Sequence, residues 1–170
     1  MDENRRKLLG ILAPVTSEIS GVSWDSELME RLNHQFSPES DLFRALTDCC
    51  QDGIESGWMG LQGEEKRKGA RVIEAGTETN GMSIDVVQLV DFTGPHHRHP
   101  NGEVCAIMTA GPDDTFDDQP EGWAVYPPGS EHWPAGKGGR VRVLFFLPGG
   151  EIEYTDREAS LSSGTAGGTD

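Results

Sequence analysis

Between residues 58 and 155, six short β-rich runs (71–74, 83–91, 103–109, 123–126, 140–147 and 151–154) follow one another with glycine and proline turns between them. No helical pattern separates them. That excludes a parallel sheet, whose neighbouring strands need crossover connections of about a dozen residues or more. The runs must pair mainly antiparallel, as in an all-β sandwich or barrel. Ahead of them the texture is helical, with Leu8, Leu9, Ile11, Leu12 and Val15 recurring at helical spacing. Asp25 is placed to cap a second helix carrying Leu28, Met29 and Leu32. Ser37-Pro38 has the cap and first-position signature of a third, carrying Leu42, Phe43, Leu46 and Cys49, with Gly53 and Gly57 to end it. The expected organisation is a helical segment, 1–57, packed on a β-barrel, 58–155. The remainder, 156–170, is rich in Ser, Gly, Thr and Ala, and its large apolar residue, Leu161, cannot offset the entropy of ordering; a disordered tail is expected.

With 170 residues the chain is long enough for one domain with a real core and too short for two of ordinary size. Its formal net charge of -15 argues against nucleic acid or an anionic membrane surface as a partner. The basic clusters Arg5-Arg6-Lys7 and Lys66-Arg67-Lys68 are short and read as solvated faces. No apolar run approaches the roughly 20 residues that span a bilayer, and the N-terminus lacks the apolar stretch of a signal peptide, so a cytoplasmic protein is expected. Three cysteines, two of them adjacent as Cys49-Cys50, suit free thiols in a reducing compartment better than a disulfide framework.

The run from Gly94 to Glu103 packs three histidines and a carboxylate into ten residues. On an extended segment side chains alternate, so His97 and His99 point one way while His96 and Arg98 point the other. After a turn at Pro100-Asn101-Gly102, Glu103 opens the next strand and can return its carboxylate to the same side. A fourth ligand, His132, is delivered by the turn Pro127-Pro128-Gly129. Two imidazoles, a carboxylate and a further imidazole suit one divalent ion, with Fe, Mn or Zn all compatible with a nitrogen and oxygen donor set that lacks thiolate. Around them Cys105 shares the face of Glu103, Trp123 and Tyr126 are candidates for a cavity wall, and Arg71 is a candidate to hold an anionic substrate. Glu131, beside a ligand, and His96 are candidates to shuttle protons.

These spacings resemble the two cupin motifs: His-x-His, three residues, then Glu is met by His97, His99 and Glu103, and Pro-x-Gly-x-x-His by Pro127, Gly129 and His132. The first-motif glycine stands unusually close to the histidines, and Gly136 occupies a place that is often polar. Beyond the ligands, 94–103, 122–132, 143–154 and 83–87 resemble the 4-hydroxylaminobenzoate lyase family. The resemblance implies a cupin-type antiparallel barrel and a small aromatic substrate. It also implies a redox-neutral conversion of 4-hydroxylaminobenzoate to protocatechuate and ammonia at a metal acting as Lewis acid; a homodimer is a family-level expectation. Two other readings share the motifs: a cupin dioxygenase using Fe(II) and oxygen on an aromatic substrate, and a non-catalytic cupin that binds a small ligand.

Overall fold

The computed structural model describes residues 2–155 and 157. Three helices come first, α1 (Glu3–Ile19), α2 (Ser26–Gln35) and α3 (Asp41–Ser56). Asp25 caps α2 by accepting from the Leu28 N–H at 3.0 Å, and Gly57, at φ 88°, ends α3 in the left-handed region that glycine enters without strain. The third helix starts later than Ser37-Pro38 suggests. Residues 37–40 form a turn, closed by Ser40 N–H donating to the Ser37 carbonyl, and Ser40 then caps the helix through Oγ. Gly53 does not end the helix but lies inside it, where a Cβ would come within 2.7 Å of Met59. Among the described residues no helix is long and apolar enough to cross a membrane.

Among the described residues ten strands follow: β1 (Gln62–Glu64), β2 (Arg67–Ile73), β3 (Met82–Thr93), β4 (His97–His99), β5 (Glu103–Thr109), β6 (Thr115–Phe116), β7 (Gly122–Tyr126), β8 (Ser130–His132), β9 (Ala135–Pro148) and β10 (Glu153–Tyr154). All pairings are antiparallel. The larger sheet runs β1-β2-β3-β9-β5-β7 with β6 against the start of β9, and a smaller sheet runs β10-β4-β8. The strands that were not apparent in the sequence, β1, β4, β6 and β8, have three residues or fewer, too few to display a period of two.

The larger sheet is covered on both faces. Val104, Ala106, Met108, Leu144 and Phe146 pack outward against the helices, in one cluster with Leu8, Leu12, Leu28, Leu32 and Phe43. Cys105, Ile107, Val141, Val143 and Phe116 fill the barrel interior. Double coverage is why β5 is buried along nearly its whole length rather than alternating with solvent. On the helix-covered face even Arg142 is buried, donating through Nε to Gln88 Oε1 at 2.9 Å. Helix α2 is tied to the barrel by Asn33, whose side-chain amide accepts from Trp123 N–H (2.8 Å) and donates to the Trp123 carbonyl (2.9 Å). The expected tail, 156–170 with Leu161, lies outside the described residues except for Arg157.

Candidate metal centre

Strands β4 and β8 pair so that His97 lies directly opposite His132, and His99 follows two residues along on the same face as His97. The three imidazoles converge. His132 Nε2 stands 2.9 Å from His97 Nε2 and 3.1 Å from His99 Nε2. Glu103 opens β5 in the other sheet and brings Oε1 to 3.3 Å from His99 Nε2, so a carboxylate from the second sheet adjoins the three imidazoles.

His97 and His99 are buried, and burial followed by neighbouring imidazole charge pushes them down to about 4 and about 3 respectively. They are neutral near pH 7. His132 gives Nδ1–H to Asp117 Oδ2 at 2.6 Å, and His97 gives Nδ1–H to the Pro95 carbonyl at 3.2 Å. In neutral rings of these tautomers Nε2 carries the lone pair, and the two Nε2 atoms face each other across 2.9 Å. That contact is repulsive unless a cation lies between them. Glu103 carries a second mark of the same kind, since Oε1 is buried without a hydrogen-bond partner and burial raises the carboxyl to about 8. The spacing fits an ion too: two nitrogens at about 2.1 Å from one metal and about 90° apart stand about 3.0 Å from each other. Thus the three imidazoles fit a divalent metal, with the Glu103 carboxylate beside His99 as a candidate fourth ligand.

Asp117, which no sequence motif singles out, organises one side of this centre. Its Oδ2 also accepts from Tyr126 Oη–H at 2.6 Å, and its Oδ1 accepts from Ala135 N–H at 2.8 Å. The backbone at Asp117 is left-handed, φ 52°, a conformation that Asp and Asn tolerate better than most residues. Tyr126 stacks obliquely 4.7 Å from the His132 ring and is held in its protonated form, chiefly by burial. The Cys105 thiol, also kept protonated by burial, donates to the Glu103 carboxylate.

A cavity of about 220 Å³ opens beside the centre, smaller than the roughly 300–1,000 Å³ typical of drug-sized ligands. His97 and Glu103 line one part of it; Val87, Leu89, Phe116, Phe145 and Tyr154 supply apolar wall. Arg67 and Arg71 reach it from β2, whose alternate residues face inward.

Several sequence-derived candidates lie elsewhere. Trp123 is not a cavity wall: it is buried against Phe36, Phe43 and Phe146 and donates Nε1–H to the Phe36 carbonyl at 2.8 Å. It and Tyr126 are three positions apart, an odd number, so on one strand the two must face opposite sides of the sheet. Glu131 and His96 also stand apart from the cavity lining. They meet on the other side of β4 and β8, where Glu131 Oε1 is 3.4 Å from His96 Nε2 and 3.3 Å from Arg157, while His96 Nδ1 contacts Thr155 Oγ1 at 2.5 Å. The alternation that turns His97 inward turns its neighbour outward.

An antiparallel barrel that gathers both halves of the paired histidine motifs at one buried point is a cupin, with helices added at its N-terminus. The chain belongs to the 4-hydroxylaminobenzoate lyase family: the family model described as PnbB, 4-hydroxylaminobenzoate lyase, matches residues 11–154. Two relatives bear the same description. The one from Pseudomonas putida is 28% identical over 171 residues, covering 88% of this chain and 95% of its own. The one from Nocardioides sp. (strain LMS-CY) is 28% identical over 160 residues, covering 86% and 92%. Among solved structures, an oxalate oxidase in complex with the substrate analogue glycolate matches with a TM-score of 0.43 at 18% identity, over 55% of this chain and 57% of that one. At that level the likeness carries no chemistry across.

Proposed function

We propose that this chain is a metal-dependent lyase that converts 4-hydroxylaminobenzoate, or a closely related arylhydroxylamine, to protocatechuate with release of ammonia. The observation that carries the reading is the set of three facing Nε2 atoms beside a small cavity, in a chain whose family is described by that substrate. A divalent ion held by His97, His99, Glu103 and His132 would supply Lewis acidity toward the hydroxylamino group.

The reaction balances without an external oxidant. One molecule of arylhydroxylamine and one of water give one catechol and one ammonia: the N–O bond breaks and its oxygen leaves as water, one water adds at the ring carbon ortho to nitrogen, and a second hydrolyses the imine and expels ammonia. The chain's own residues hold the donors and the ring. Asp117 fixes His132 in the tautomer that presents the Nε2 lone pair, and the Pro95 carbonyl does the same for His97. The apolar wall from Phe116, Phe145 and Val87 suits a single aromatic ring and limits bulk water around the reacting carbon. Tyr126 keeps its proton on Oη, directed at Asp117, and so fixes the carboxylate rather than exchanging protons with substrate. Arg71 and the Cys105 thiol complete the surroundings, the first on the cavity lining and the second on Glu103.

The test is an anaerobic assay of metal-loaded protein with 4-hydroxylaminobenzoate and no nicotinamide cofactor. Protocatechuate and ammonia are expected in equal amounts. Strict dependence on oxygen would replace the lyase by a dioxygenase. An aminophenol without ammonia would make it a mutase, in which the ortho-hydroxylated ring regains aromaticity before the imine is hydrolysed.

A further inference from the structure

The two arginines on the cavity differ in what already occupies them. Arg71 gives Nε–H to Asp85 at 3.2 Å and an Nη2 hydrogen to the Gly150 carbonyl at 2.9 Å, and Asp85 is steadied by Ser83 Oγ at 2.9 Å. Its charge is neutralised within the cavity wall, because Asp85 lines the cavity as well. Arg67 lines the same cavity and is half-buried, and its guanidinium makes neither a hydrogen bond nor an ion pair with any other described residue. In a chain of net charge -15, a partly desolvated guanidinium without a carboxylate partner is unusual. The residue between the two arginines on this face of β2 is Gly69, where a Cβ would come within 3.1 Å of Val87 Cγ2. Glycine keeps the floor between them open.

We infer that Arg67, rather than Arg71, is the specificity residue for this reaction: its guanidinium receives the ring carboxylate of the substrate at the part of the cavity contributed by β2. The inference rests on the lyase reading and adds to it the group that selects an acid over a neutral arylhydroxylamine. Arg71 and Asp85 form a neutral pair, so the cavity lining from β2 and β3 carries one uncompensated positive charge, matched to one carboxylate. A planar guanidinium suits that carboxylate because it can meet both oxygens through two parallel N–H donors.

The experiment compares wild type, Arg67→Ala and Arg67→Lys on 4-hydroxylaminobenzoate and on phenylhydroxylamine, which lacks the carboxylate, with benzoate binding measured by calorimetry on the same proteins. For Arg67→Ala, kcat/KM on the acid should fall about ten- to a hundredfold, mostly through KM, the range for a hydrogen bond to a charged group. Turnover of phenylhydroxylamine should change far less, and Arg67→Lys should recover part of the loss on the acid. Equal losses on both substrates, or no loss on either, would overturn the assignment while leaving the lyase reading intact. If wild type turns over neither substrate, the lyase reading fails. Benzoate affinity then decides Arg67 alone: a tenfold or larger loss in Arg67→Ala supports it, and unchanged affinity overturns it.

Discussion

Replacing Asp117 by Asn changes no shape and reverses one hydrogen-bond polarity, so it isolates the role of this carboxylate. Three donors converge on the side chain: His132 Nδ1–H and Tyr126 Oη–H at Oδ2, and Ala135 N–H at Oδ1. An amide offers one oxygen and one NH2. With the oxygen toward Ala135, the NH2 meets two donors, and His132 relieves the clash by moving its proton from Nδ1 to Nε2, the atom that faces the other imidazoles. With the amide turned over, its NH2 meets the Ala135 N–H. Either orientation forfeits at least one hydrogen bond to a charged acceptor, about 1.5–3 kcal/mol. At about 1.4 kcal/mol per tenfold, metal affinity should fall roughly 10- to 100-fold, in line with losses seen when the partner of a metal-bound histidine is changed. The left-handed backbone at φ 52° tolerates Asn as it does Asp, so the fold should survive. The assay is a competition titration with a chromophoric chelator, alongside circular dichroism. A dissociation constant within twofold of wild type in a folded Asp117→Asn protein would refute the claim that Asp117 sets the His132 tautomer. Tyr126→Phe, which removes one of the three donors and leaves the tautomer alone, should weaken binding less.

Elemental analysis of purified protein should find close to one divalent ion per chain, and His97→Ala or His132→Ala should abolish it, since each removes one of the mutually facing nitrogens. Trp123→Phe should lower stability by about 1–3 kcal/mol through loss of the Phe36 carbonyl bond and of packing, read by urea unfolding, with kcat/KM changed little because the ring faces the helices; a selective loss of activity would return Trp123 to the site. The thiols titrate high, Cys49 and Cys105 above the usual thiol range and Cys50 pushed up to about 12, all chiefly by burial. Raised values keep them protonated near neutral pH, so a disulfide reagent at that pH should label none of the three in the native protein within minutes and all three in denaturant.

The sequence alone carried the features that depend on local geometry. Alternation along a strand decides that His97 and His99 share a face while His96 does not, and a turn of fixed length returns Glu103 to that face; both follow from spacing, whatever the rest of the chain does. Antiparallel pairing followed from the absence of crossover helices, and the Asp25 and Gly57 caps from residue chemistry at helix ends. Parity even contained the position of Trp123, because it and Tyr126, three apart, cannot share a cavity. What tertiary structure decided are relations between residues with no fixed spacing. Asp117 reaches His132 from a left-handed turn beside β6, fifteen residues earlier in the chain, where nothing periodic marks it. Lys66-Arg67-Lys68 reads as a solvated cluster until β2 turns its middle residue inward, and Arg71 reads as an anion site until Asp85, brought opposite it by the register of β2 and β3, takes up its charge. A side chain's charge is fixed by its type, but whether that charge is already spent depends on which distant strand lies beside it, and only the folded chain sets that.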